Sequence, residues 1–453
     1  MSLSLKNSAL LPVAICGAAS VILTFVMYPF LVADYNLLPD AEGNLAIANN
    51  IYDGAGFTVS PGSDPSIFHA PLVPYAIALV FKITGGSHLS TIRIAQVFLN
   101  MATCFLLFKL AARIYSPKEA RITGILYALY PPILLSIPRV YVEQSLSFFL
   151  LLAVNCMILY QTENKNKWNL FAGLALGLAA LSRDVVLLFP LIYLVFLAIC
   201  KVSRRKIIVS IATLLAAMWL LILPWTVRNY RVAGRLIPVQ AGFGFNYIMG
   251  TSFVKNFSYA PLEYGPYLRM GLNKIDHILR EELISDYWTA EADRVLMSEA
   301  IREIIREPTL VLQKLVAQSM SFWYLSLGRN RSILLALIQF PFLIMGFLGW
   351  VHPPSGKARM SNLPLLTGMY LMFSAALIFA ISRSSLPAIP YVLLYAGRFI
   401  SRGSEMGWSS ISGLEEEITA SMQSALPAAR PPEGAADKPS AVTNPEDESD
   451  VFE

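Results

Sequence analysis

Charge is scarce in this sequence: 14% of its 453 residues are Asp, Glu, Lys or Arg, where an ordinary soluble domain carries about 25%. With 55% hydrophobic residues and a mean hydropathy of +0.55, that shortage excludes a soluble globular domain. Cysteine and histidine are scarcer still, four of each. Cys16, Cys104, Cys156 and Cys200 all fall in apolar runs without metal-type spacing, which excludes a disulfide scaffold and a zinc module and leaves them as packing residues. A net charge of +5 suggests nucleic acid only until the charges are placed, because they form no basic patch. There is no internal repeat, which argues against a transporter built from two related halves.

What the chain does have is apolar runs long enough to cross ~30 Å of hydrocarbon, and in lipid such runs satisfy their backbone only as helices. They fall at Leu10–Leu31, Ile92–Leu110, Ile122–Ile137, Ser145–Tyr160, Leu170–Leu181, Val185–Cys200, Ile207–Pro224, Ile333–Val351, Leu365–Ile381 and Leu386–Ile400. The first has an apolar stretch longer than the ~7–15 residues of a signal peptide, so it reads as an uncleaved anchor. With both termini in the cytoplasm, four cytoplasmic connections are basic: Arg113/Lys118/Arg121, Lys165/Lys167, Lys201/Arg204/Arg205/Lys206 and Lys357/Arg359.

That orientation puts two long loops outside, 32–91 and 226–331. The first opens with an amphipathic stretch, Ala41–Tyr52, expected to lie along the membrane surface with Leu45, Ala48 and Ile51 on one face and Asn44, Asn49 and Asn50 elsewhere. A second apolar run from Pro71 to about Ile83 is too short to span and reads as interfacial. In the second loop a helix is expected over Trp288–Glu307, closed by Pro308, and Leu310–Leu327 could be a further embedded helix. Residues 1–400 thus form the transmembrane domain, and 401–453, acidic and proline-bearing, read as a disordered cytoplasmic tail.

Ionisable residues at membrane depth mark sites or pairs because each costs about 2.5–3.5 kcal/mol. On the outer side they are Asp34, Asp40, Glu42, Arg139, Glu143, Arg183, Asp184, Arg228 and Arg383. Carboxylates mixed with arginines at the mouth of a helix bundle suit proton transfer beside a phosphate. Each also has a plainer reading. Asp40 could cap its helix, Glu143 could simply start one, Arg183 and Asp184 could pair within a tight hairpin, and Arg228 could anchor a span end beside Trp225 and Tyr230. His69 and His88 stand alone, without the spacing of metal ligands. Asn256-Phe-Ser258 matches a glycosylation triplet that arises often by chance.

The order of several short motifs resembles one superfamily, the polytopic GT-C glycosyltransferases that use polyprenyl-phosphate sugars, including protein O-mannosyltransferases and lipid A aminoarabinose transferases. Asp40-Ala-Glu-Gly-Asn-Leu-Ala-Ile-Ala48 with Gly54-Ala-Gly56 is similar to its acidic motif and juxtamembrane helix, and Ala70-Pro-Leu-Val-Pro-Tyr75 to its proline motif. Glu143 stands where the family opens a span with an acid, and Ser182-Arg183 resembles its hairpin arginine. Pro224-Trp-Thr-Val-Arg-Asn-Tyr230, then Gly234 and Gly242-Phe-Gly-Phe-Asn246, is the most specific match, and Ala300-Ile-Arg-Glu-Ile-Ile-Arg-Glu-Pro308 follows it. The chain departs from the pattern in two places. Asp40-Ala-Glu42 replaces an adjacent Asp-Glu, which bears on metal coordination, and Ser382-Arg-Ser-Ser-Leu-Pro387 keeps one arginine where a second basic residue is common.

The resemblance implies an all-α GT-C bundle of about ten transmembrane helices, with juxtamembrane helices in the first outer loop and a mostly helical second one. It implies a plasma-membrane enzyme, the bacterial inner membrane, that transfers a sugar with inversion from a polyprenyl-phosphate donor to a hydroxyl of a glycan, lipid or protein. Asp40 would be the base with Glu143 beside it, and Arg183, Arg228, Arg139 and Arg383 would hold the donor phosphate. Glu42, His69 and Asp184 complete the candidate set. A divalent cation, Mg or Mn, is left open as cofactor, with its ligands unknown. The rival readings are a transporter or flippase of a lipid-linked saccharide, and a ligase or polymerase of lipid-linked glycans.

Overall fold

A computed structural model describes residues 3–31, 39–256, 261–352 and 359–403. Asp34, Lys357, most of the Asn256–Ser258 triplet and the tail from 404 onward lie outside the described residues. All described regular elements are helical. In chain order they are α1 (Leu3–Val21), continued by a π-helical stretch Ile22–Met27 into α2 (Tyr28–Leu31), then α3 (Pro39–Tyr52), α4 (Leu72–Thr84), α5 (Leu89–Ile114), α6 (Pro117–Ala128), α7 (Pro131–Ser136) and α8 (Glu143–Glu163). These are followed by α9 (Lys167–Ser182), α10 (Phe189–Ile199), α11 (Arg204–Ala233), α12 (Phe243–Lys255), α13 (Gly265–Glu281), α14 (Ala290–Arg306), α15 (Pro308–Tyr324), α16 (Arg329–Val351), α17 (Asn362–Ile378) and α18, residues 389–403.

Among the described residues five stretches are long and apolar enough to cross a membrane: Ser8–Phe30, Leu89–Ile114, Glu143–Glu163, Arg204–Ala233 and Arg329–Val351. Leu72–Thr84, Asp184–Ile199 and Asn362–Ile378 are shorter apolar helices. The chain is a multi-pass membrane protein, and each run expected to span falls on helix. One expected span, Ile122–Ile137, is broken into α6 and α7. Pro131 and Pro132 supply no backbone N–H to continue α6, and Tyr130 before them is extended at ψ 112°.

Close helix contact fixes the geometry that the site inherits. Gly173 and Gly177, four residues apart on α9, face α11, and a Cβ on Gly173 would lie 2.3 Å from the Leu214 carbonyl oxygen. This is how small residues let membrane helices approach where lipid supplies no hydrophobic drive between them. The α8–α9 hairpin and α11 are thereby one unit, and their ends carry Glu143, Arg183 and Arg228.

In the first long loop α3 does not lie open along a surface. Ala41, Asn44, Ile47 and Ala48 are buried, and Ala48 packs with Val73, Ile77, Ala78 and Phe81 of α4. Asn50, expected off the apolar face, is buried too, its Nδ2 donating to the Thr58 carbonyl at 2.7 Å. The amphipathic pattern holds, but the partner is α4. The second long loop is mostly helical as expected, with α14 starting at a Thr289 cap close to the expected Trp288.

Candidate active site

The local chemistry of α11 explains how the two long loops meet. Gly234 takes a left-handed φ of 66° and ends the helix, letting the chain turn back along it. Asn229 Nδ2 then donates to the carbonyls of Val239 (2.8 Å) and Ile237 (3.2 Å), Thr226 Oγ1 to that of Pro238 (2.8 Å) and Trp225 Nε1 to that of Val239 (2.9 Å). The Pro224–Tyr230 motif is thus a clasp for residues 237–239. Beyond it Ala241 N–H donates to the Ile67 carbonyl at 2.8 Å, joining the second loop to the first. Gly242 N–H donates to buried Asp293 Oδ1 at 2.8 Å, and Asp293 also takes Arg235, so α14 is tied to the same segment.

Around that junction the carboxylates and arginines converge. Glu143 is 1% exposed, and a buried carboxylate is tolerated only when paired. Its Oε1 accepts from Arg183 Nη1 and, at 2.9 Å, from Arg383 Nε. The Nη2 of the same Arg383 reaches Asp40 Oδ2. One guanidinium therefore spans carboxylates from the first loop and from α8, and it rests over the Tyr141 ring at 5.1 Å. The second carboxylate oxygen of Glu143, Oε2, is buried with no hydrogen-bond partner among the described residues.

Burial raises the Asp40 pKa, but Arg383 and, farther off, Arg183 outweigh it and hold the carboxyl below its ordinary value. Burial pushes the His69 imidazole down from its usual value, only partly offset by Asp40. His69 Nδ1 lies 3.0 Å from Ser66 Oγ, and the Ser66 carbonyl accepts from Arg228 Nη1 at 2.6 Å. Arg228 sits 4.6 Å over Trp225 and 5.3 Å over Phe57, and it makes no ion pair among the described residues.

Of the candidates, Asp40, Glu143, Arg183 and Arg383 form one connected group, with His69 and Arg228 joined to each other through Ser66. Asp184 does not pair with Arg183; its Oδ1 accepts from Gln240 Nε2 at 3.2 Å. Arg139 donates to the Tyr141 hydroxyl at 3.4 Å and makes no ion pair with the candidate carboxylates among the described residues. Glu42 is exposed and makes no ion pair among the described residues. Tyr141, Ser66 and Phe57 support the site without any signal in their spacing; Tyr141 precedes Glu143 by two residues in a segment whose sequence suggests a plain turn. Trp225, expected in an interfacial belt, is instead a clasp and a shelf for Arg228.

These residues form no ready divalent-cation site. The two candidate carboxylates are engaged by guanidinium groups, and among the described residues no cluster of three His, Cys, Asp or Glu could hold a metal.

Comparison with known proteins gives this geometry a context. Residues 68–227 match the family model described as "Dolichyl-phosphate-mannose-protein mannosyltransferase". A Bacillus subtilis (strain 168) protein named "Putative mannosyltransferase YycA" is 28% identical over 199 residues, 43% of this chain and 29% of that protein. Among solved structures, the apo oligosaccharyltransferase of Archaeoglobus fulgidus superposes with a TM-score of 0.60 at 13% identity, covering 92% of this chain and 53% of that one. The same organism's oligosaccharyltransferase in complex with an inhibitory peptide and a dolichol-phosphate gives 0.54 at 14%, covering 96% and 53%. The chain thus spans about half the length of the solved structures it matches and under a third of the curated relative.

Proposed function

We propose that this chain, which has the fold of the GT-C glycosyltransferases, transfers a sugar with inversion from a polyprenyl-phosphate donor to an acceptor hydroxyl at the loop-bearing, extracytoplasmic face of the membrane. The observation that carries the reading is the Arg383 guanidinium bonded to both Asp40 and Glu143, with Arg183 on the same Glu143. Two arginines and two carboxylates sum to zero, so that group alone holds no surplus charge for a phosphate. Arg228, without a carboxylate, supplies it. Resting over the packed Phe57 and Trp225 rings, its guanidinium is pre-oriented for phosphate oxygens. The dolichol-phosphate held by the archaeal oligosaccharyltransferase complex is consistent with a lipid phosphate as donor.

In the reaction the acceptor hydroxyl attacks the anomeric carbon and gives its proton to Asp40, through an oxocarbenium-like transition state. The leaving phosphate gains negative charge, which Arg228 and the exposed part of Arg183 stabilise more than they stabilise the bound donor. Glu143 holds Arg183 and Arg383 in place beside Asp40. No step runs through a metal ion.

The test is transfer by the purified protein from a panel of polyprenyl-phosphate sugars, with Asp40→Asn beside wild type. Wild-type transfer that falls at least ~10²-fold in a folded variant is expected. Transport of the saccharide without transfer would replace this reading with that of a flippase.

A further inference from the structure

Asp40 is a poor resting place for a proton. Its pairing with Arg383 favours the ionised form, so a proton taken from the acceptor has to leave quickly. A neighbouring imidazole is placed to take it. The Nε2 of His69 lies against the first turn of α3, where a Cβ on Gly43 would come within 2.4 Å of it. Gly43 is three residues after Asp40, so the two share a helix face. The imidazole occupies the space that a side chain at 43 would fill.

The other ring nitrogen is fixed. Ser66 Oγ, 3.0 Å from Nδ1, also accepts the Phe68 N–H at 3.3 Å, and the Ser66 carbonyl is held by Arg228. The relay uses the tautomer in which Nδ1–H donates to Ser66 Oγ, which leaves the lone pair on Nε2, against the first turn of α3.

We propose, on the reading of the site as a transferase, that His69 is the proton outlet of Asp40. As the acceptor oxygen bonds to the anomeric carbon, its O–H breaks and the proton passes to Asp40. The bond from the anomeric carbon to the phosphate oxygen breaks with its electron pair on phosphate, and the Asp40 proton moves to His69 Nε2, leaving an imidazolium that gives it to water. The charged group acting on His69 is Asp40 on α3, Arg228 on α11 reaches it through Ser66, and Arg383 and Arg183 act on Asp40 itself. Burial keeps the imidazole neutral at pH 7, which a proton acceptor requires.

The relay needs neutral His69, whose titration burial moves below its ordinary value, so turnover is full down to about pH 6.5 and falls only below it. The experiment is the pH profile of kcat and donor KM from about pH 5 to 8.5, a range that brackets the histidine titration, for wild type, His69→Gln, His69→Lys and Gly43→Ala in the full chain. His69→Gln is expected to lose kcat about tenfold or more at pH 7 with donor KM little changed, and to lose the acid limb. Gly43→Ala, whose Cβ displaces the ring, should behave alike. His69→Lys introduces a fixed cation that cannot take a proton at pH 7, so it should stay slow. A His69→Lys enzyme as fast as wild type would overturn the relay and make His69 a phosphate contact, and an acid limb that persists in His69→Gln would overturn it too. Carbon-13 histidine NMR adds a readout free of substrate: the His69 signal should titrate below its usual pKa and move lower still in Asp40→Asn. No response to Asp40→Asn would overturn the coupling. Absence of transfer by wild type with every donor would instead refute the transferase reading.

Discussion

Replacing Arg383 tests the architecture of the site more sharply than any other change. Its guanidinium bonds Glu143 and Asp40, which are 103 residues apart in sequence, and it reaches them from a short 3-10 turn more than two hundred residues later. Arg383→Ala leaves Glu143 with Arg183 alone and leaves Asp40 without its ion pair. Removing one partner of a buried pair costs about 3–5 kcal/mol, and Glu143, at 1% exposure, belongs in that class. Asp40, whose side chain is 60% exposed, adds little. An unfolding entropy near 2.1 cal/mol/K per residue over roughly 400 residues converts the loss to about 4–6 °C, if the bundle melts as one unit. The assay is thermal unfolding in detergent of Arg383→Ala, Glu143→Gln and the double variant. Neutralising Glu143 removes the charge that Arg383 was compensating, so the double variant should melt above Arg383→Ala. Two independent, additive losses would refute the claim that the Arg383 guanidinium compensates Glu143.

Arg228→Lys keeps the charge but loses the planar contact with Phe57 and Trp225, worth about 1–2 kcal/mol; donor KM should rise roughly 5–30-fold with kcat nearly unchanged, measured by initial rates against donor concentration. Because Asp40 and Glu143 are engaged by arginines, transfer should survive dialysis against EDTA within about twofold, and an activity lost to EDTA and restored by Mg2+ or Mn2+ would refute the arginine-bridged site. Gly349→Ala places a Cβ 2.0 Å from the Tyr395 carbonyl oxygen and must part α16 from α18; overpacking of this kind costs about 1–3 kcal/mol, visible as a lower melting temperature without change in donor KM.

Much of the fold was legible because lipid enforces a simple rule: apolar length means helix. That rule placed the helix-bearing runs and both long loops, and failed where local chemistry overrode hydropathy, as at Pro131-Pro132 in the middle of an apolar run. It was also silent on partners. Leu45, Ala48 and Ile51 mark an apolar face equally well for a membrane surface and for α4, and periodicity alone does not distinguish them. The site divides the same way. Asp40, Glu143, Arg183, Arg228 and Arg383 stood out because charge is rare at membrane depth. Which of them touch is a long-range property: Arg139 looks as good as Arg383 in sequence, yet Arg139 turns to Tyr141 and Arg383 bridges the carboxylates.

The distribution of charge among these residues argues for a division of labour. Arg183 and Arg383 are balanced by carboxylates and hold a buried acid in place, a structural duty that also lowers the Asp40 pKa. Arg228 is unbalanced, and its position is set by the clasp that ties residues 237–239 to the end of α11 and by Ser66 in the first loop. The proposed cation for the donor and the proposed base for the acceptor therefore sit on different segments, joined through the Ser66–His69 segment, the Ala241–Ile67 hydrogen bond and the packing of Phe57 on Trp225. Their separation is fixed by that junction, so loosening it, as by Asn229→Ala, which removes two carbonyl contacts at once, should slow transfer without touching either charged group. Wild-type kcat in Asn229→Ala would mean that the two loops are aligned by something other than the clasp.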